Sequence, residues 1–156
     1  MSVVAWRIVK SRFAKQAFSG EGARRFGGRW NSPGHAIVYT AESQALAALE
    51  ILVHVDSENL LRKYVATPVT IEEDLISSLD LAKLPRNWKA FPAPRATRML
   101  GDHWALSRES AVLRVPSVVI PDENNYLLNP LHEDFKKLII GAPKLFRYDW
   151  RLMKKS

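Results

Sequence analysis

The sequence predicts an α+β fold in which several short strands and two modest helices form one compact domain. The chain has 156 residues, a usual length for one domain, and contains no internal repeat. Its apolar runs are short and rich in β-branched and aromatic residues, which is typical of mixed short-strand sheets. Helix and strand patterns do not alternate regularly, as a βαβ repeat would require. We therefore expect a single domain over residues 1–156, with its core at about 5–152.

The first half contains the clearest elements. Residues 3–9 predict a short strand that ends near Arg7, and residues 36–41 (AIVYTA) predict a buried strand. Residues 11–34 between them hold most of the seven glycines and few aliphatic residues, so they should be mostly loop. A helix is expected from about 44 to 55, with Ser43 as its N-cap.

The second half has less regular patterns, interrupted by prolines. Residues 63–71 alternate like a strand, and residues 111–121 give the strongest later strand pattern. Pro68 predicts an edge strand in the first, and Pro116 an edge or a bulge in the second. Residues 72–80 fit no single element. The remaining predictions are an irregular, flap-like stretch at 84–96, a helix at 97–110, a turn-rich loop at 122–134, a short strand or helical turn at 135–140 and a terminal strand at 143–152.

Composition limits the possible chemistry. The chain has no cysteine, which excludes disulfides, thiol catalysis and cysteine-ligated zinc. A net charge of +7 favours anionic partners such as nucleic acid, nucleotides or an acidic protein. The first residues, MSVVAWRIVKSRF, acquire charge too early for a secretory signal, and no apolar run approaches the roughly 20 residues that span a bilayer. We expect a soluble, cytoplasmic protein that does not contact a membrane.

Glu50 is the most informative residue. It is the only acid in the predicted helix, where helical spacing groups it with the apolar residues Leu46, Leu49 and Val53. A carboxylate on a core-facing stripe is costly unless it has a partner or is protonated. One hypothesis is a structural salt bridge with Arg29 or Arg7. The other is a chemical task in a pocket.

A glycine-rich stretch with arginines, GEGARRFGGRWN, precedes the AIVYTA strand. It is not a dinucleotide-binding fingerprint, because Arg25 occupies the position of the third glycine and no strand leads into it. One interpretation is a backbone that approaches phosphates, with Arg29 anchored next to Trp30. The other is a basic surface loop that, with the basic C-terminal cluster (Lys144, Arg147, Arg151, Lys154 and Lys155), binds nucleic acid without catalysis.

Histidine, tyrosine and serine side chains are further candidates for chemistry. The four histidines lack metal-ligand spacing, although His54 follows Glu50 by four residues and could pair with it. Tyr39 lies on the AIVYTA strand and is either an ordinary core tyrosine or part of a pocket with Arg29 and Glu50. No serine lies in a nucleophile elbow, and Ser117 in a β-branched run is more typical of a strand hydroxyl.

Taken in order, these motifs resemble the RES domain family. The resemblance rests on WR near the start, then FSGEGARRFGGRWNSPG, IVYTA and ALAALEILVH, and later LRVPSVVIP and NYLLNPLHEDF. It covers about residues 5–152. It implies a fold similar to that of ADP-ribosyltransferases and a toxin of a type II toxin–antitoxin pair that consumes NAD+. The implied partner is an antitoxin with a Xre-type helix-turn-helix domain, in a hetero-oligomer that contacts DNA only through the antitoxin.

The resemblance also implies site residues. Arg29, Tyr39, Glu50 and Ser117 match the motif positions that would be catalytic, Trp30 lies beside them, and Arg7 and Asn129 would lie at the pocket edge as weaker binding candidates. In this scheme Glu50 stabilises positive charge on the ribose as the nicotinamide bond breaks. Arg29 would bind the pyrophosphate. Tyr39 would stack on the nicotinamide ring or orient the ribose, and Ser117 would contact ribose or phosphate. No metal is expected.

The sequence does not determine the acceptor of the ADP-ribosyl group. Phosphate would give phosphorolysis, water would give hydrolysis, and a protein side chain would give mono-ADP-ribosylation. NAD+ degradation is favoured over protein modification, and a non-catalytic nucleic-acid-binding module is the alternative from another class. That module predicts steeply salt-dependent binding that ignores Glu50→Gln.

Overall fold

The computed structural model describes residues 1–153, and the last two lysines of the C-terminal basic cluster lie outside this part of the chain. The α-helices are α1 (Glu21–Phe26), α2 (Gln44–Leu52), α3 (Ser57–Leu60) and α4 (Arg95–Ser107). The strands are β1 (Ser2–Lys10), β2 (Val38–Ala41), β3 (Tyr64–Glu72), β4 (Ile76–Ser78), β5 (Val112–Pro116), β6 (Asn124–Leu128), β7 (Ile139–Ile140) and β8 (Lys144–Phe146). Short 3-10 turns connect several of them.

All eight strands belong to one mixed sheet, in the order β4-β5-β6-β2-β1-β3-β7, with β8 also paired to β3. Only the β4–β5 pair among these is parallel. At the centre of the sheet, β1 pairs with β2, and β2 pairs with β6. These three strands come from distant parts of the chain. Strands and helices are mixed without a regular βαβ order, which confirms the α+β prediction.

Two helices cover the parts of the sheet that matter for the site. Leu46 and Ala47 of α2 pack in a core cluster with Ile8, Ala41, Tyr64 and Ala66 from three strands. Trp104 of α4 packs in a second cluster with Trp30, Ile37, Leu113, Val115 and Leu127. Ser43 caps α2 as predicted, because its side chain accepts a hydrogen bond from the Leu46 N–H at 3.0 Å. In residues 1–153 no helix is both long and apolar enough to cross a membrane.

The predicted loop at 122–134 is wrong, because Asn124–Leu128 forms strand β6 in the middle of the sheet. The asparagines and prolines around it suggested turns. Asn125 and Tyr126 are nevertheless accommodated inside the sheet, since β2 and β5 supply their backbone partners on both sides.

The two proline predictions are also wrong as stated. Pro68 does not mark an edge, since β3 has neighbours on both sides. It lies between the β7-paired and β8-paired parts of that strand, where no ladder N–H is needed. Pro116 neither marks an edge nor a bulge. It is the last residue of β5, which lies between β4 and β6.

Other boundaries differ in smaller ways. Residues 11–34 contain a 3-10 helix (Ser11–Gln16) and α1 as well as loop. Helix α2 ends at Leu52, and Val53 of the predicted core stripe is exposed. The strand predictions for 3–9, 36–41 and 63–71, the helix at 97–110 and the irregular stretch before it are confirmed within a few residues.

Candidate active site

A cleft of about 500 Å³ lies where β1, β2, α2 and the glycine-rich stretch meet. Arg7, Arg29, Trp30, Tyr39 and Glu50 all line it, so the structure brings most of the predicted site residues together. The other lining residues are mainly small or apolar, among them Gly28, Ala41, Ile51, Val118 and Val119. A mostly apolar cleft with a few converging polar groups is the usual form of a small-molecule site.

Glu50 faces this cleft from the last turns of α2, and two neutral donors hold its carboxylate. The Ser117 hydroxyl donates to Oε2 at 2.9 Å, and Nδ2 of Asn125 donates to Oε1 at 2.9 Å. Burial raises the pKa of Glu50, while the two hydrogen bonds oppose the rise and the nearby Glu123 adds to it. The hypothesis of a salt bridge with Arg29 or Arg7 is wrong, since neither arginine forms an ion pair among the described residues.

Ser117 is fully buried just after β5 and lies outside the lining of the cleft. Its hydroxyl donates to Glu50 and accepts the N–H groups of Val119 at 3.1 Å and Ile120 at 3.2 Å. A hydroxyl has one donor hydrogen and two acceptor lone pairs, so all three are committed. Ser117 can therefore act on a ligand only by fixing Glu50.

Tyr39 lies on β2, and its hydroxyl organises the turn that carries Arg29. It accepts the Trp30 N–H at 2.9 Å and donates to Oδ1 of Asn31 at 2.6 Å. Burial raises the pKa of Tyr39, so the phenol stays protonated. Gly28 makes this approach possible, because a Cβ at that position would lie 2.6 Å from the Tyr39 hydroxyl. The hydroxyl is committed to the turn, which leaves the ring to line the cleft.

Arg29 lies at the tip of that turn, between the backbone pair Gly28 and Asn31. Its Nη1 donates to the carbonyls of Trp88 at 2.7 Å and Ala90 at 3.0 Å, both in the irregular stretch before α4. Burial lowers the pKa of Arg29. Its other N–H donors have no protein partner in residues 1–153, so they remain available to an anion.

Arg7 lies on β1 and lines the same cleft. Its Nε donates to the Ala17 carbonyl, and its Nη1 donates to the Tyr39 carbonyl at 2.9 Å. Burial lowers the pKa of Arg7 to about 10, which still leaves the guanidinium charged at neutral pH. The cleft thus has two arginines whose protein partners in the described chain are neutral carbonyls. Such positive charge favours an anionic ligand.

Two predicted binding residues have different surroundings. Trp30 lines the cleft but is buried, and its ring lies 5.9 Å from that of Trp88. Asn129 does not line the cleft. Its Nδ2 donates to the Ala105 carbonyl at 3.1 Å and its Oδ1 accepts the Leu131 N–H at 3.0 Å, so it connects α4 to the segment after β6. Both polar atoms of the Asn129 side chain are therefore used to hold these two segments together.

His54 does not pair with Glu50. It is exposed after the end of α2, and its ring lies 5.7 Å from that of Phe91. Asn125 holds the Glu50 carboxylate and Asn31 holds the Tyr39 hydroxyl, and neither residue was predicted from the sequence. The only sequence sign of Asn125 was its alternation with Leu127 in NNYLL, which is a strand pattern.

Among residues 1–153, no cluster of three or more metal-ligating side chains is present.

Comparison with known proteins gives consistent matches over nearly the whole chain. The family model described as RES domain matches residues 4–151. "Toxin Res" of Yersinia enterocolitica is 40% identical over 151 residues, covering 96% of this chain and 99% of that protein. "Prs ADP-ribosylating toxin" of Sphingobium sp. is 38% identical over 161 residues and covers both chains completely.

A solved structure supports the fold. The structure titled "Crystal structure of the M.tuberculosis MbcT-MbcA toxin-antitoxin complex" contains a chain that matches this one with a TM-score of 0.73. The match covers 94% of this chain and 85% of that chain at 20% identity, which is evidence for a shared fold alone. The match to the family model, together with relatives at about 40% identity over their full length, identifies the family. The chain belongs to the RES domain family.

Proposed function

We propose that this protein is the toxin of a toxin–antitoxin pair and that it cleaves the nicotinamide–ribose bond of NAD+. Family membership and the relatives named as toxins support the first part. The name of the Sphingobium relative, an ADP-ribosylating toxin, supports NAD+ as the substrate. The observation that carries the chemistry is that Glu50 lines the same cleft as two arginines without forming an ion pair with either.

The two kinds of charge suit different parts of one dinucleotide. The guanidinium groups of Arg7 and Arg29 attract the pyrophosphate, and the free N–H donors of Arg29 match its oxygens. The carboxylate of Glu50 suits the ribose, where positive charge develops as the bond to nicotinamide breaks. The bonding electron pair leaves with nicotinamide, which becomes neutral. The ring of Tyr39 provides a flat apolar surface in the cleft beside these groups.

The protein contributes electrostatics and positioning in this proposal. Glu50 is held by donors that are fixed before the substrate arrives, so no reorganisation is needed as charge develops. The reaction is balanced by an acceptor at the ribose carbon. Water gives ADP-ribose and a proton, and inorganic phosphate gives ADP-ribose 1-phosphate. A protein side chain as acceptor is the second candidate, favoured by the name of the Sphingobium relative.

The test is incubation of the free protein with NAD+, with and without inorganic phosphate, followed by mass spectrometry of the products. NAD+ degradation predicts more than one nicotinamide per protein molecule without any added protein. Nicotinamide release that requires a second protein, together with a mass increase of that protein, would support ADP-ribosylation instead. Intact NAD+ under all these conditions would contradict both.

We further propose that the partner is an antitoxin with a Xre-type DNA-binding domain that keeps the toxin inactive in a cytoplasmic hetero-oligomer. The solved relative in a toxin–antitoxin complex supports an antitoxin partner. The net charge of +7 suits an acidic inhibitory segment. A purified complex that is inert toward NAD+ until the partner is removed would support this, and full activity in the complex would contradict it.

A further inference from the structure

Asn125, on β6 at the wall of the cleft, has an amide whose orientation is fixed. Its Nδ2 donates both hydrogens, to the Thr40 carbonyl at 3.1 Å and to Oε1 of Glu50 at 2.9 Å. Both partners only accept, because one is a backbone carbonyl and the other a carboxylate. A flipped amide would place Oδ1 against two acceptors and lose both bonds. The nitrogen must therefore face Glu50, and Oδ1 must face away from it.

The oxygen of this amide has no protein donor, yet it is not sealed in the core. Within residues 1–153, Oδ1 of Asn125 accepts no hydrogen bond. The fully buried side-chain polar atoms without a partner in that part of the chain are Oγ1 of Thr97 and Nε of Arg98. Asn125 is only 8% exposed, and it lines the cleft. Its small open surface therefore includes an unused acceptor in the cleft, next to the Glu50 carboxylate.

An acceptor beside a carboxylate selects for a ligand with hydrogen-bond donors. Phosphate oxygens are acceptors at neutral pH and would be repelled there, whereas hydroxyl groups donate. A ribose offers two adjacent hydroxyls. We propose that Asn125 is a specificity-determining residue for one ribose hydroxyl: Oδ1 accepts from one hydroxyl of the sugar attached to nicotinamide, while Nδ2 positions Glu50. This rests on the proposed function.

The test compares substrates within each protein variant, so that a general loss of activity cancels. NAD+ is compared with two analogues whose nicotinamide-side ribose lacks the 2′- or the 3′-hydroxyl. Cleavage is followed as kcat/KM and binding as the Kd from calorimetry. In the wild-type protein, loss of the hydroxyl that meets Oδ1 should cost about ten- to a hundredfold, as expected for one buried polar group left unpaired.

Asn125→Leu should reduce this preference to nearly none for that hydroxyl, and keep the preference for the other one. Asn125→Asp keeps an acceptor toward the cleft but places an oxygen against the Thr40 carbonyl and the Glu50 carboxylate, so it should retain the preference with a much lower kcat and a lower unfolding free energy. The matched control is Asn124→Leu, because the neighbouring side chain points to the opposite face of the sheet and does not line the cleft. It should behave like the wild-type protein.

Each result decides a different claim. If NAD+ is cleaved but Asn125→Leu shows the wild-type preference for both hydroxyls, Asn125 has only a structural role and the inference is wrong. If NAD+ binds without being cleaved and the binding preference still depends on Asn125, the proposed reaction fails and the recognition of ribose stands. If NAD+ neither binds nor reacts, both are wrong.

Discussion

Glu50→Gln is expected to stop most NAD+ cleavage while the protein stays folded. The glutamate accepts one hydrogen bond on each oxygen, from Ser117 and from Asn125. Glutamine has only one oxygen. If that oxygen accepts from Asn125, the new amide nitrogen faces the Ser117 hydroxyl, whose lone pairs are already used by two backbone N–H groups. If it accepts from Ser117, the nitrogen faces the donor of Asn125. One bond is lost in either orientation.

The effect on stability should be small, because two terms oppose each other. Losing the bond and leaving one donor unpaired costs about 1–3 kcal/mol of unfolding free energy. Removing the charge relieves the free-energy cost of burying a carboxylate, which is the same effect that raises the pKa of Glu50. The rate should respond more strongly. Removing one preorganised electrostatic group from an active site typically lowers kcat about 10²–10³-fold. KM should change little, because the arginines still bind the dinucleotide.

The assay is nicotinamide release from NAD+ by the wild-type protein, by Glu50→Gln and by a control variant. Glu73→Gln makes the same chemical change at an exposed site and should keep full activity. Circular dichroism and thermal unfolding verify that each variant is folded. A folded Glu50→Gln protein with at least a third of the wild-type kcat would refute the role assigned to this carboxylate.

Three further outcomes are expected. The acidic limb of the pH–rate profile should lie above the ordinary range of a glutamate, because burial raises the pKa of Glu50. The same shift stabilises the folded protein below the unfolded-state pKa, and this contribution is lost as pH rises through the folded-state pKa. The unfolding free energy of the wild-type protein relative to Glu50→Gln should therefore fall with rising pH. Ser117→Ala should move that limb to higher pH and lower the unfolding free energy by about 1–3 kcal/mol, since it removes a bond to Glu50 and leaves two N–H groups unpaired; an unchanged pH profile would contradict this. Arg29→Ala should raise KM for NAD+. It should also speed tryptic cleavage after Lys89, because the carbonyls on either side of Lys89 lose their bonds to Arg29. Arg29→Lys should recover only part of the binding, and an unchanged KM and cleavage rate in Arg29→Ala would contradict the role assigned to Arg29.

Local patterns predicted the elements whose own residues show a clear cap or a clear periodicity. Ser43 followed by an apolar run predicted α2 and its cap, and alternating β-branched residues predicted β1 and β3. Strand β6 could not be predicted this way, because NNYLLNP has turn-forming residues at both ends. Its place in the sheet depends on β2 and β5, which are remote in sequence. Pro68 and Pro116 led to wrong predictions for the same reason, because a proline is tolerated inside a sheet wherever the strand pairing on one side has a gap or ends.

The candidate site shows the same division. Arg29, Tyr39 and Glu50 lie within 22 residues, so the sequence indicated their convergence, and the structure places them around one cleft. The groups that orient Glu50 come from farther along the chain. Asn125 lies on β6 and Ser117 directly follows β5, and both side chains donate a hydrogen bond to Glu50. The predicted contact of Ser117 with ribose or phosphate is at odds with its committed hydroxyl, and Asn129 instead connects α4 to the segment after β6.

The most direct test of the account is the product balance of one reaction. Free protein, purified away from any partner, is mixed with NAD+ and phosphate, and nicotinamide is quantified over time beside an equal amount of folded Glu50→Gln. The account predicts many nicotinamides per wild-type molecule and about 10²–10³-fold slower release by the variant. Equal release by both proteins, or no release by either, would contradict it.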